Sequence, residues 1–162
     1  MEPLFAAVIA AALSPVWTPG SEVKFEQLPP ECAAVYEPYL KKWRKADSTE
    51  VICSDLDQDG KKEMLVWDGS VGSGGQGWHI MMQQGEIWRT LDKIFGDVML
   101  IPHADRTGLL VGMPSGWNEA FFEYYELRHG KMQKILIFDV EYSGPVRKKP
   151  VKISIQYTEH FQ

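Results

Sequence analysis

The sequence predicts a mainly β domain with one N-terminal helix (α+β), its strands forming an antiparallel meander, a sandwich or propeller-blade-like sheets. Three observations predict it. Short runs of β-branched and aromatic residues recur at hairpin spacing from Glu50 onward, bounded by Gly, Pro and Asp. The apolar period changes from three or four residues to two after Asp47-Ser48. Hydrophobic residues make up 44% and charged residues 24% of the 162, the composition of one globular domain with a packed core.

Taken in order, the chain opens on an apolar run from Leu4 to Leu13. The run is too short to span a bilayer and suits the hydrophobic segment of a secretory signal peptide, with small Ala10 and Ala12 near its end. No Lys or Arg precedes it and Glu2 has the wrong sign, so an ordinary buried helix is the competing reading. Residues 1–20 are therefore expected to be a signal peptide or N-terminal apolar segment, and 21–162 one β-rich domain, periplasmic or secreted. Trp17 to Pro30 reads as a linker that becomes ordered near Val23–Phe25. From Glu31 to Ala46, Val35, Tyr36, Tyr39, Leu40 and Trp43 fall on one helical stripe. Pro38 cannot sit in a helix interior, which predicts a short turn followed by a new helix at Glu37-Pro38.

Strands are expected over Glu50–Ser54, Met64–Trp67 and Trp78–Gln83, and a strand or short helix from Ile87 toward Phe95. Val98–Ile101, Leu109–Met113, Ala120–Arg128, Ile135–Tyr142 and Val151–Tyr157 follow. Gly69 to Gly77 holds five glycines and two serines and reads as a flexible turn. Val151, Ile153, Ile155 and Tyr157 alternate with polar residues, as in a strand buried on one side.

The net charge of -5 and pI near 5.4 argue against nucleic acid as the main partner, since phosphate binding needs clustered Lys and Arg. The one dense basic run, Arg147-Lys148-Lys149, reads as a solvated loop. No stretch is long and apolar enough for a transmembrane segment. Cys32 and Cys53 invite one disulfide in an exported chain, with two free thiols as the alternative; their spacing matches no zinc pattern.

Asp55-Leu56-Asp57-Gln58-Asp59-Gly60-Lys61-Lys62-Glu63 is the run whose spacing implies specific chemistry. Calcium takes six to eight oxygens from carboxylates, carbonyls and water. Alternate residues of a tightly coiled loop point inward together, which nominates Asp55, Asp57 and Asp59. Gly60 stands where the backbone must turn sharply. Lys61 would give its backbone carbonyl, and Glu63 would close the loop with its carboxylate. Leu56 and Met64 would anchor the loop to the core. An EF-hand would carry a bidentate Glu where Val66 stands, and the flanks are strand formers, so the site is a calcium hairpin between strands. The alternative is a solvated turn, since Asp and Gly favour turns unaided.

The stretch resembles the Asp-rich loops of integrin-type FG-GAP and VCBS repeats, which lie between propeller strands and end in an acidic residue at the position of Glu63. The resemblance implies Ca2+ held by Asp55, Asp57, Asp59 and Glu63 and by the Lys61 carbonyl. It covers nine to about twenty residues and occurs once, so length and repetition exclude a full propeller. The order of Asp loop, Gly-rich turn and Trp-x-Ile strand is also similar to small exported bacterial proteins of unassigned function.

Other candidates are weaker. Gly69 to Gly75 lacks the Lys-Ser/Thr ending of a phosphate loop. His79, His103, His129 and His160 show no metal spacing and read as surface or rim residues. Glu119, Glu123 and Glu126 offer carboxylates for a glycosidase-like pair, but nothing local singles them out. Trp117 is either an exposed aromatic tip that meets a partner or a cap on the core. These observations point to an exported calcium-stabilised binding module for an unknown protein or glycan ligand. The rival is a small secreted hydrolase using a carboxylate in a sheet cleft.

Overall fold

A computed structural model describes residues 3–40, 46–143 and 149–157. The apolar start is a helix, α1 (Pro3–Leu13). The segment before the Asp loop contributes β1 (Ser21–Lys24), α2 (Pro30–Ala33) and α3 (Glu37–Leu40), with single 3₁₀ turns at Phe25–Gln27 and Ala34–Tyr36. Pro38 has the predicted effect: a 3₁₀ turn ends at Tyr36 and a new helix starts at Glu37. Trp43 and the basic residues around it lie outside the described residues, as do His160 and most of the 147–149 run.

Eight further strands follow: β2 (Ser48–Ser54), β3 (Glu63–Gly72), β4 (Gly75–Gln84), β5 (Ile87–His103), β6 (Arg106–Pro114), β7 (Glu119–Arg128), β8 (Lys131–Tyr142) and β9 (Pro150–Tyr157). All nine pair with their sequence neighbours in the order β1 to β9, and every pairing is antiparallel. The domain is thus the expected mainly β meander.

Two strand expectations change. The Gly-rich stretch is mostly strand: β3 and β4 run into it and pair as far as Gly72 opposite Gly75, leaving a tight hairpin. Gly72, Gly75 and Gly77 are ladder residues, and a Cβ on Gly77 would collide with Ser70 and Asp68. The runs at Ile87 and Val98 are one strand, β5. Its residues up to Gly96 pair with β4, and those from Asp97 pair with β6. Gly96 lies between them at φ +144, open only to glycine at low cost. The meander therefore turns a corner within β5.

Three apolar layers result. Ile52, Leu65, Trp78 and Ile80 from the first half share a buried cluster with Leu109, Val111, Tyr125 and Leu127 from the second. Outside the second half, α1 lays Phe5, Val8, Ile9 and Ala12 against Leu110, Phe122, Phe138 and Val140. Outside the first half, Cys32 of α2 joins Val51, Val66 and Met81. The alternation of β9 buries its apolar face only in part: Ile155 is half-buried against the outer cluster, while Val151 and Ile153 are exposed on this last strand.

The disulfide does not form: Cys32 and Cys53 are free, the first buried and the second exposed. Burial, with the charge of Glu31, pushes the Cys32 thiol up to about 12, which leaves it unreactive. His79 is no surface residue either. It is 8% exposed, with Nδ1 unpartnered among the described residues and Nε2 3.4 Å from the Asp68 carboxylate.

Candidate metal site

The paired ends of β2 and β3 hold the Asp loop between them. Ser54 pairs with Glu63, so the loop closes over eight residues between two ladder positions. Leu56 is fully buried in the central cluster, and Met64 is half-buried against the outer one, as anchoring requires. Between these anchors the chain coils. Gln58 has φ 58 and Gly60 has φ 90, both left-handed, and a Cβ on Gly60 would meet nothing. Glycine stands there for its conformation and not for space.

The coil is tied by its own carboxylates. Asp55 Oδ1 accepts the Asp59 N–H at 3.1 Å and Oδ2 accepts the Gly60 N–H at 2.9 Å. Asp57 Oδ1 also faces the Asp59 N–H at 3.3 Å, and Asp59 Oδ1 accepts from Lys61 at 2.8 Å. Glu63 is 1% exposed and accepts the Leu56 N–H at 2.8 Å through Oε2. One carboxylate oxygen each from Asp55, Asp57 and Glu63 lies within 4.8 Å of the others. Oxygens bound to one calcium at about 2.3–2.6 Å stand at most about 5 Å apart, so this spacing suits a shared ion. Asp59 is exposed and stands outside the group, turned to the Lys61 N–H; the Lys61 side chain is exposed.

The electrostatics mark Glu63. Its pKa is pushed up to about 7, mainly by burial and further by the charges of Asp57 and Asp59, against the Leu56 hydrogen bond. A buried carboxylate beside other carboxylates resists ionisation unless a cation joins it. An all-oxygen set of this kind suits a hard cation such as Ca2+.

A second polar assembly lies at the same end and escaped sequence reasoning. Glu126 of β7 is fully buried. Its Oε1 meets His103 Nε2 at 2.9 Å and accepts the Tyr124 hydroxyl at 3.2 Å. Its Oε2 accepts Arg128 Nε at 2.7 Å and lies 2.6 Å from Arg128 Nη2 and 3.7 Å from Arg106 Nη1. Arg106 also grips exposed Asp105 with Nε at 3.0 Å and Nη2 at 2.6 Å, which holds the Asp105 carboxyl down to about 2. Burial and the charge of Glu126 drive the Tyr124 hydroxyl far above its ordinary value, keeping it a donor. The signal in sequence was a pair of glutamates, Glu123 and Glu126, inside the aromatic run Phe121–Leu127. A register shift between Tyr124 and Tyr125 puts Tyr124, Tyr125, Glu126 and Leu127 all in the interior, which simple alternation does not predict.

The Thr107 N–H donates to the Leu56 carbonyl at 2.9 Å, tying the Asp loop to the start of β6 beside this assembly. At the far end of the sheets Trp117 is 83% exposed, an aromatic tip and not a cap. Among the described residues no helix is long and apolar enough to cross a membrane. No family model, curated protein or solved structure matches the chain.

Proposed function

We propose that this chain is an exported binding module whose loop end is held in shape by calcium. The observation that carries the reading is the convergence of Asp55, Asp57 and buried Glu63 within a loop anchored by Leu56. Asp59 and the Lys61 carbonyl complete the shell, Asp59 by a rotation away from the Lys61 N–H that the ion favours. The likeness to FG-GAP and VCBS loops agrees with this ligand order. Export to the periplasm or beyond places the site where calcium reaches millimolar levels, and a single solvent-facing loop fits an affinity near 10⁻⁴–10⁻³ M. The ion is structural, and protein or glycan ligands are met by the loops, with Trp117 a second exposed contact at the opposite end.

The hydrolase reading is favoured by one observation, the His103–Glu126 pair. It is the weaker reading because both oxygens of Glu126 are engaged, by His103 and Tyr124 on one side and Arg128 on the other. A general base needs a lone pair facing substrate. Here the carboxylate positions its neighbours.

Titration calorimetry on metal-stripped protein, with thermal melts in millimolar calcium, tests the proposal. Binding heat and a rise in Tm are expected. In Glu63→Gln both responses should vanish while the Gln oxygen still accepts the Leu56 N–H, so the variant stays folded. Absence of heat and of a Tm rise in the unaltered protein overturns the proposal.

A further inference from the structure

We propose that the cleft beside the Asp loop is an oxyanion subsite, in which Arg106 and Arg128 hold a sulfate, phosphate or carboxylate group of the ligand. The inference names the ligand class of the binding module and rests on that reading. An open cleft of about 440 Å³ is lined by Asp57, Arg106, Leu127, Arg128 and His129. Three separate turns supply these walls: the Asp loop, the β5–β6 turn and the β7–β8 turn. Ala104 and His129 adopt left-handed conformations in the last two, at φ 35 and 52.

The guanidiniums are fixed before any ligand arrives. Arg128 commits Nε and Nη2 to Oε2 of Glu126, a fully buried acceptor. A guanidinium carries five N–H donors, so about three remain on Arg128, including both on Nη1. Arg106 commits Nε and Nη2 to Asp105, and its Nη1 stands 3.7 Å from Glu126 without a hydrogen bond among the described residues. Arginine forks of fixed orientation are the preferred partners of planar and tetrahedral oxyanions.

The charge balance explains why the two sites adjoin. Glu126 lies against both guanidiniums and Asp105 grips that of Arg106, its side chain 71% exposed and partly screened by solvent, so the spare N–H donors face a cleft whose charge is close to balanced. Across the cleft stands the carboxylate of Asp57, which repels an anion until a cation neutralises it. Calcium in the loop therefore tightens oxyanion binding, and by linkage the oxyanion tightens calcium binding by the same factor.

The experiment titrates sodium sulfate and, separately, sodium acetate into metal-stripped and calcium-loaded protein, by calorimetry and by NMR of the arginine Nε–Hε resonances. Sulfate is expected to move the Arg106 and Arg128 resonances and to bind about fivefold or more tightly with calcium present. Response to sulfate alone identifies a sulfate or phosphate group, and equal response to acetate a carboxylate; either supports the subsite. Arg128→Lys, which keeps a cation on Glu126 and loses the fork, should weaken sulfate about tenfold. Calcium heat without any shift of the two arginines overturns the subsite and leaves the calcium reading intact. Shifts with sulfate but no calcium heat uphold the subsite and overturn the calcium reading.

Discussion

His79 shows what burial costs a single side chain. Its Nδ1 has no partner among the described residues, and burial, with the nearby charge of Lys93, lowers its pKa below 6.5 against the pull of Asp68. The unfolded chain then binds a proton that the folded chain resists, so this residue's contribution to stability is lost as pH falls through 6.5. Glu63 acts in the opposite sense. Its raised pKa makes the metal-free fold lose stability as pH rises from 4.5 to about 7. The two slopes overlap, so the informative quantity is a difference. Urea midpoints of His79→Gln and the unaltered protein should diverge progressively below pH 6.5, the variant losing less. Parallel curves would show that His79 carries no such cost.

At the scale of elements, β5 decides the architecture. A strand that pairs with β4 through its first part and with β6 through its last must bend between them, and Gly96 is the bend. A Cβ there would stand 2.7 Å from the Gly112 carbonyl oxygen and 2.7 Å from Val111 Cγ1. Gly75 packs its own backbone against Gly96 from the neighbouring hairpin, with an added Cβ 2.7 Å from Gly96 Cα. Gly96→Ala should therefore cost about 2–4 kcal/mol in urea denaturation, from backbone strain and overpacking together. Gly85→Ala is the control, because Gly85 has φ 64 but nothing near an added Cβ. It should cost about 1 kcal/mol, the conformational part alone. Equal costs would mean that the corner tolerates a side chain.

Across the whole molecule, the Asp loop is a staple between the two halves of the meander. It leaves β2, buries Leu56 in the shared cluster and accepts from Thr107 of β6. A cation bound at the loop would thus reinforce contact between halves far apart in sequence. The outer face of the second half depends on α1, whose Val8 and Ala12 are fully buried. A chain lacking residues 1–14 should expose Leu110, Phe122 and Phe138 together, an apolar surface that binds a hydrophobic dye and promotes self-association. Unchanged dye binding and a monomeric elution volume would show that α1 is dispensable.

The sequence by itself determined the elements that local chemistry controls. Strand positions followed from period-two runs, the helix restart from Pro38, and the acidic hairpin loop from carboxylates spaced within nine consecutive residues. The tertiary structure decided everything that depends on register. It joined two apolar runs through Gly96, turned most of the Gly-rich stretch into ladder, left the two thiols unbridged, and drew His79 and Glu126 inside. His103 and Glu126 are 23 residues apart and meet only because β5, β6 and β7 align. A one-residue shift such as that between Tyr124 and Tyr125 moves a side chain to the other face, and no local pattern encodes it.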